Sequence, residues 1–326
     1  MIFKLVPIVI IILTVAACDN SNTQGEIKIK NISTDNTELQ KFVRRLKRNL
    51  IFVQGGEFLM GDFGAQYGKQ RLPFDGKKDS IPLHKVELTS YSINKFKTTN
   101  QEYQLYLKLN NLPLRKADNH LSQVAWDDYN KLPDIPAQVD WYEADKYCSW
   151  LAKITNLRFS LPTEAQWEYA ARSRGKFLPV ATDSGDFKVK GRNGINISAE
   201  DDREAYARKM GSRLESLISM PVDSYPPNPL GLYDMSGNGF EWVKDWYDPD
   251  YYKHSPVKDP QGPAKPEFKD SNGFHVKVLR SVDLSNPFWG NGLTISRTWR
   301  AMNNYDMLPR GKTVRCVVNS TYPIGN

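Results

Sequence analysis

From Ile51 onward the chain breaks direction too often to sustain long regular elements, and this restricts the folds open to it. It carries 21 glycines and 20 prolines, and its turn signals are dense. Gly55-Gly56 separates IFVQ from EFLMG, and HKVELTSYSIN (84–94) alternates in the manner of a strand pair. Helical signals are few. Thr98 to Leu109 has Thr99 or Asn100 as a cap, with Tyr103, Leu105, Tyr106 and Leu109 as apolar anchors. Trp141 to Thr155 places Tyr147, Trp150, Leu151 and Ile154 on one stripe. A third helix starts at Thr163, where Thr-Glu-Ala-Gln-Trp-Glu follows Pro162 and supplies its own first-turn acceptors. After Tyr169 the chain reads as loop up to Ile197, and Ser198 to Ser216 as a charged helical insert. No internal repeat is present, which excludes a solenoid or propeller. These elements mix short strands with few helices, and the length leaves one large domain or two ordinary ones open.

Composition adds exclusions. The 44 Lys+Arg against 37 Asp+Glu give a formal charge of +7, but the charges are scattered, so no nucleic-acid footprint forms and no nucleic-acid partner is expected. With 40% hydrophobic residues the chain can bury a large core. Three cysteines exclude a four-thiolate zinc site and a disulfide-dense scaffold.

The odd cysteine is explained at the N-terminus. Residues 1–18, MIFKLVPIVIIILTVAAC, hold one Lys, an uncharged run from Leu5 to Val15, and small residues before Cys18. The run is shorter than the roughly 20 residues a spanning helix needs, so residues 1–17 read as a secretory signal peptide. Val15-Ala16-Ala17-Cys18 resembles the bacterial lipobox, which makes Cys18 a lipid attachment point and, through palmitate-type acylation, a membrane anchor. The alternative is an ordinary signal peptide with Cys18 incidental. Under the lipobox reading the protein faces the periplasm, and Asp19 resembles the signal for inner-membrane retention. Residues 18–35 then form the lipidated Cys and a polar tether. An amphipathic helix is expected over 36–50, with Leu39, Phe42, Val43 and Leu46 on one face and Lys41, Arg44, Arg45 and Arg48 around the other. Its stripe either docks on the domain or lies near anionic headgroups.

Three segments go beyond pattern: GGEFLMG (55–61), VDWYEADKYCSWLAKITNLRFSLPTEAQWEYAAR (139–172) and PPNPLGLYDMSGNGFEWVKDWYDPDYY (226–252). With KVLR (277–280) and VRCVV (314–318) they closely resemble the formylglycine-generating enzyme family, also called the sulfatase-modifying-factor domain, in order over about residues 50–320. The resemblance implies an α+β fold, a single compact domain with much irregular structure over residues 51–320, related to the C-type lectin fold.

It also implies chemistry that this chain departs from. Formylglycine-forming members use two cysteines spaced C-x4-C after an RGGS-type segment to bind Cu(I). The corresponding stretch here runs from Arg280 to Asn291, and without gaps Asn286 and Asn291 fall at the cysteine positions and Asp283 at the serine. Asn is a poor ligand for Cu(I), so copper is not expected, and Asp283, Asn286 and Asn291 become a candidate groove rather than a catalytic set. No catalytic residue is assigned. Ser281 and Val282 replace two glycines of the family segment, implying a remodelled backbone. Cys148 and Cys316 match the family's structural cysteines, which implies a disulfide between them. His84, His120, His254 and His275 show no metal-ligand spacing.

Calcium is implied instead. The family segment N-x-x-G-N-x-x-E reads Asp234, Gly237, Gly239 and Glu241 here, carboxylates and carbonyls of the kind a hard cation selects. The alternative is a tight polar turn in which Glu241 caps backbone N–H groups. At the family's second calcium position, near 193–202, the match fails. Glu164 and Glu168 share a helix face but belong to the LPTE-x-x-WE scaffold, and Ser160 and Ser236 lack recognisable triad partners. Trp242, Trp246, Tyr247, Tyr251 and Tyr252 read as core with an exposed rim suited to protein recognition.

Two functions are expected. One is a lipid-anchored binding protein for a protein or peptide in the periplasm, concretely an immunity protein against a type VI secretion toxin such as a lipase. The other is a non-copper oxidase or maturation enzyme resembling the pyoverdine-maturing subgroup.

Overall fold

Three of the helices that carry the domain start on residues that supply their own caps. In α3 (Asn100–Leu109) Thr99 and Glu102 form a reciprocal capping box, in α5 (Trp141–Thr155) Asp140 and Glu143 do the same, and in α6 (Glu164–Ala171) the pair is Thr163 and Gln166. Two orphan backbone donors are satisfied at each start. The computed structural model describes residues 37–288, 291–303 and 308–325; the segments expected as signal peptide and tether, with Cys18 and Asp19, lie outside them. The described residues fall within one compact unit, Ser33–Asn326, and among them no helix is long and apolar enough to cross a membrane.

The segment expected as a helix over 36–50 is α1 (Thr37–Arg48), which ends as β1 (Leu50–Val53) begins. Its stripe docks on the domain: Phe42 and Leu46 are buried, and Phe42 stacks on Trp150 at 5.6 Å between ring centroids. Lys41, Arg44 and Arg48 stay exposed. Helix α4 (His120–Asn130), capped by Asn119, was not legible in sequence because its buried aromatics, Trp126 and Tyr129, are too few to mark a stripe. In place of an insert over 198–216, α7 spans Glu200–Met210 and stops at Gly211, whose φ of 65° ends the helix.

The strands are short and their partners distant. One sheet runs β1, β4 (Tyr91–Asn94), β12 (Val317–Val318), β5 (Phe159–Ser160); a second runs β10 (Thr298–Ala301), β9 (Val276–Arg280), β8 (Phe240–Trp246), β11 (Lys312–Thr313). The remaining strands, β2 (Gly56–Met60) with β3 (His84–Leu88) and β6 (Val189–Lys190) with β7 (Asn193–Gly194), form two-stranded ribbons, and α2 (Gly64–Tyr67) follows β2. The pair expected within HKVELTSYSIN is therefore split: β3 joins β2, while β4 joins β1 and β12. The two-residue link Thr89-Ser90 lacks the Gly or Asn that a tight hairpin turn requires, so the chain passes from one sheet to another. Ile93 faces Ile51 on one side and Val317 on the other, which places the C-terminal VRCVV segment in the centre of the first sheet.

Around this sheet lie two apolar clusters. One gathers Val53, Ile93, Trp167, Val243, Val278 and Val317; the other gathers Phe42, Tyr106, Tyr147, Trp150, Trp242 and the disulfide Cys148–Cys316, at an S–S distance of 2.01 Å and a Cα–Cα distance of 5.7 Å. The disulfide joins α5 to the residue just before β12 across a sequence separation of 168. Chain-entropy reasoning gives such a closure about 4 to 5 kcal/mol. Cys148→Ser/Cys316→Ser, or reduction under native conditions, is expected to lower the unfolding free energy by up to that amount, read as a shifted urea midpoint.

Candidate functional site

The candidate groove lies on the chain between β9 and β10, and α6 holds both ends of that segment. Arg280, the last residue of β9, donates to Glu164 Oε1 at 2.8 Å and to Glu168 Oε2 at 3.0 Å. Arg297, just before β10, donates to Glu164 at 2.7 Å and 3.0 Å through Nε and Nη2. Glu168 also accepts from Arg172 and from the Gly61 amide, each at 2.9 Å. All five charged side chains are buried. Burial raises the Glu164 carboxyl, but Arg297 and Arg280 outweigh it and leave its pKa lowered. Asp245 accepts the Glu164 amide at 2.9 Å, and burial together with the charge of Glu164 raises its pKa to about 7. The two glutamates are thus consumed as clamps, with Arg280, which ends the KVLR segment, and Arg297, which carried no local sequence signal, fixing the loop's ends.

Within the loop, Asn286 and Asn291 bond to the loop itself. The Asn286 amide donates to Asn291 Oδ1 at 2.8 Å, Asn291 Nδ2 to the Leu284 carbonyl at 3.3 Å, and the Phe288 amide to Asn286 Oδ1 at 3.1 Å. Asp283 lies apart from that clasp. Its carbonyl accepts from the Gly239 amide at 2.6 Å, and its carboxyl, whose pKa is raised by burial, packs against Gly311, where a Cβ would come within 2.2 Å of it. Phe288 stands 57% exposed at the rim. Ser281, where a remodelled backbone is expected, lies in the left-handed region at φ 69°, which glycine would favour.

The four residues named for calcium lie on one turn, yet its oxygens are already engaged. Lys97 Nζ donates to the Gly239 carbonyl and to Glu241 Oε1, each at 2.8 Å. Arg315 donates to Glu241 at 3.0 Å and 3.1 Å, and Trp167 Nε1 at 2.9 Å. Asp234 Oδ2 accepts from Asn238 Nδ2 at 2.9 Å, and burial raises the Asp234 pKa to about 6. The Gly237 carbonyl accepts from Ser281 Oγ at 3.4 Å. Burial would raise Glu241 also, but Arg315 and Lys97 more than offset it and bring its pKa to about 2. This donor set does not fit a calcium ion, because Glu241 and the Gly239 carbonyl are bonded to cations of the protein, and the Asp234 and Gly237 oxygens accept from Asn238 and Ser281. Among the described residues no group of three or more His, Cys, Asp or Glu side chains is placed to hold a metal ion.

Concavity is distributed differently from expectation. Beside the turn, Ala181, Asn196, Tyr225, Asp234, Ser236 and Ser285 line a cavity of ≈ 20 Å³, about one water's worth. A concavity of ≈ 380 Å³ opens elsewhere, lined by Phe63, Tyr67, Leu72, Phe74 and Phe177, with Tyr67 and Phe177 stacked at 4.1 Å. The expected aromatic rim does not form at Trp242, Tyr247, Tyr251 and Tyr252, which are buried, and Trp246 is half-buried with Lys277 Nζ 3.6 Å from its ring centroid. β8 is packed from both sides, burying Trp242 on one face and Glu241, Val243 and Asp245 on the other.

Short strands around a central C-terminal strand, a clamped loop and a buried polar turn define a mixed α+β domain of the sulfatase-modifying-factor kind. Residues 35–303 match the Sulfatase-modifying factor enzyme 1-like domain, and the chain belongs to that family. The formylglycine-generating enzyme of Streptomyces coelicolor is 30% identical over 265 residues, which cover 68% of this chain and 76% of that one. The serine/threonine-protein kinase pkn1 of Chlamydia pneumoniae is 31% identical over 246 residues, covering 71% of this chain but only 33% of pkn1, so the chain spans about a third of that relative's length. Among solved structures, PvdO from Pseudomonas aeruginosa superposes with a TM-score of 0.57 at 25% identity, covering 82% of this chain and 93% of that one.

The buried charges give the protein a pH signature of two signs. Glu241 has a folded pKa below its unfolded value, so its contribution is present above about pH 4.5 and is lost as pH falls toward 2. Asp245 has a folded pKa above its unfolded value, so its contribution is present at low pH and is lost as pH rises from near 4 to 7. Urea midpoints across pH are expected to show a flatter acid limb in Glu241→Gln, at a cost near neutrality of about 3 to 5 kcal/mol from leaving Lys97 and Arg315 uncompensated. In Asp245→Asn the decline between pH 4 and 7 should shrink to the part that Asp234, raised to about 6, contributes below pH 6.

Proposed function

We propose that this protein is a membrane-anchored, periplasm-facing member of the sulfatase-modifying-factor family that binds a protein or peptide partner and does not use copper-cysteine catalysis. One observation carries the reading. At the positions where the family resemblance puts copper thiolates, Asn286 and Asn291 spend their side chains clasping their own loop. The two cysteines of the described residues are joined to each other elsewhere in the core, so no thiol faces the loop. The adjoining cavity of ≈ 20 Å³ has room for a water and not for a small substrate. An exposed Phe288 beside a rigidly clamped backbone is the kind of anchor that protein interfaces use.

The anchor is Cys18 in this reading, and the exposed Lys41, Arg44 and Arg48 of α1 would lie toward anionic headgroups. A concrete form of the function is immunity against a type VI secretion toxin such as a lipase, with the inhibitor held where the toxin meets lipid. Likeness to PvdO favours a second reading, a non-copper oxidase or maturation enzyme of the pyoverdine-maturing type.

Purified protein separates the two. The binding reading expects no stoichiometric copper or iron, no O2 uptake with a cysteine peptide, and a partner complex that survives chelators of transition metals; bound metal with O2 consumption would sink it. Phe288→Ala should weaken that complex about tenfold without moving the melting temperature. Cys18→Ser should release the protein from membranes or block its processing, and unchanged membrane association would refute the anchor.

A further inference from the structure

We infer that Lys97 is a resident cation, its ammonium filling the role that the family resemblance reserves for calcium, so that the turn from Asp234 to Glu241 holds its shape without metal. The lysine side chain and that of Glu241 are both completely buried. Its Nζ bridges a backbone carbonyl and a carboxylate oxygen, Gly239 O and Glu241 Oε1, each at 2.8 Å. A carbonyl and a carboxylate converging on one point are what a hard cation selects, and Ca²⁺ needs 6–8 such oxygens. At Glu241 that supply is exhausted. A carboxylate offers about four lone-pair sites, and Glu241 accepts four bonds, one from Lys97, two from Arg315 and one from Trp167. Asp234 Oδ2 accepts from Asn238, and the Gly237 carbonyl from Ser281. Two protein cations, Lys97 and Arg315, therefore face two carboxylates, Glu241 and Asp234. A divalent ion would enter a charge-balanced site in which Glu241 has no vacant lone pair and Lys97 already holds the Gly239 carbonyl.

The placement has a structural consequence. Lys97 lies between β4 and α3, so a single ammonium ties the first half of the chain to the turn that opens β8. That turn backs the candidate loop, because the Gly239 amide donates to the carbonyls of Val282 and Asp283 at 3.2 Å and 2.6 Å. A metal ion can be removed by a chelator or lost in a calcium-poor medium. A lysine on the chain cannot, and the loop it backs keeps its geometry in either condition.

Melting curves of the whole protein in EGTA and in millimolar CaCl2 test this, alongside Lys97→Met and Asp234→Ala. The wild type should melt within about 1 °C in the two buffers. Lys97→Met keeps the stem without the charge and should melt roughly 10 °C lower. A calcium-induced rise in the wild type that Asp234→Ala, which removes the side-chain oxygens, abolishes would overturn the assignment, as would a Lys97→Met protein as stable as the wild type. A rise that survives Asp234→Ala lies at another site and leaves the assignment standing. Should Lys97→Met not fold, the calcium response of the wild type and of Asp234→Ala decides the matter alone.

Discussion

The buried pairing of Glu164 and Glu168 with Arg280 and Arg297 is the constraint on which the rest of the site depends. Both carboxylates come from the first five residues of α6, a helix started by its own capping box, and both guanidinium groups come from the ends of one long loop. Replacing such a network by well-packed apolar groups is often neutral for stability, whereas removing one member strands a buried charge. What the network does here is positional. It makes a loop of irregular backbone reproducible, since displacing either Arg280 or Arg297 would leave Glu164 with one buried guanidinium partner in place of two.

A second hub repeats the logic one strand away. Glu241 on β8 is opposite Arg280 in the ladder and beside Thr313 of β11, and it draws Lys97, Arg315 and Trp167 inward from three separate stretches of chain. The two hubs share no residue, yet they grip opposite sides of the same loop, the first through its ends and the second through the Gly239 amide behind Asp283. Glycine is obligatory where this packing is tightest: Gly292 has a φ of 84°, and a Cβ there would meet the Ser236 carbonyl at 2.3 Å. A scaffold this rigid suits presentation of a surface, which is how the binding reading uses it. The binding reading and the alternative that rests on likeness to PvdO start from the same frame.

The elements that were legible in sequence share a physical cause. α3, α5 and α6 each combine a cap, an acidic or amide partner three residues on, and an apolar stripe, all local signals. The strand pair within HKVELTSYSIN was misread because alternation marks a strand but says nothing of its partner, and Thr89-Ser90 was the clue that it does not turn back. Lys97 and Arg297 went unread for a different reason. A charged residue in sequence looks solvated, and only packing reveals that its carboxylate has been carried inside with it.

By itself, then, the sequence determined the family, the helix starts, the absence of any cysteine between Cys148 and Cys316, and a mixed α+β domain, because these rest on residue identity, spacing and local hydrogen bonding. Tertiary structure decided which charges meet. It joined Cys148 to Cys316, docked α1 by Phe42 and Leu46, turned Glu164 and Glu168 into clamps, and set the Lys97 ammonium on Gly239 and Glu241. Such outcomes depend on groups far apart in the chain sharing a site with no water, where a carboxylate is stable only if a cation accompanies it, and no local pattern records which cation that will be.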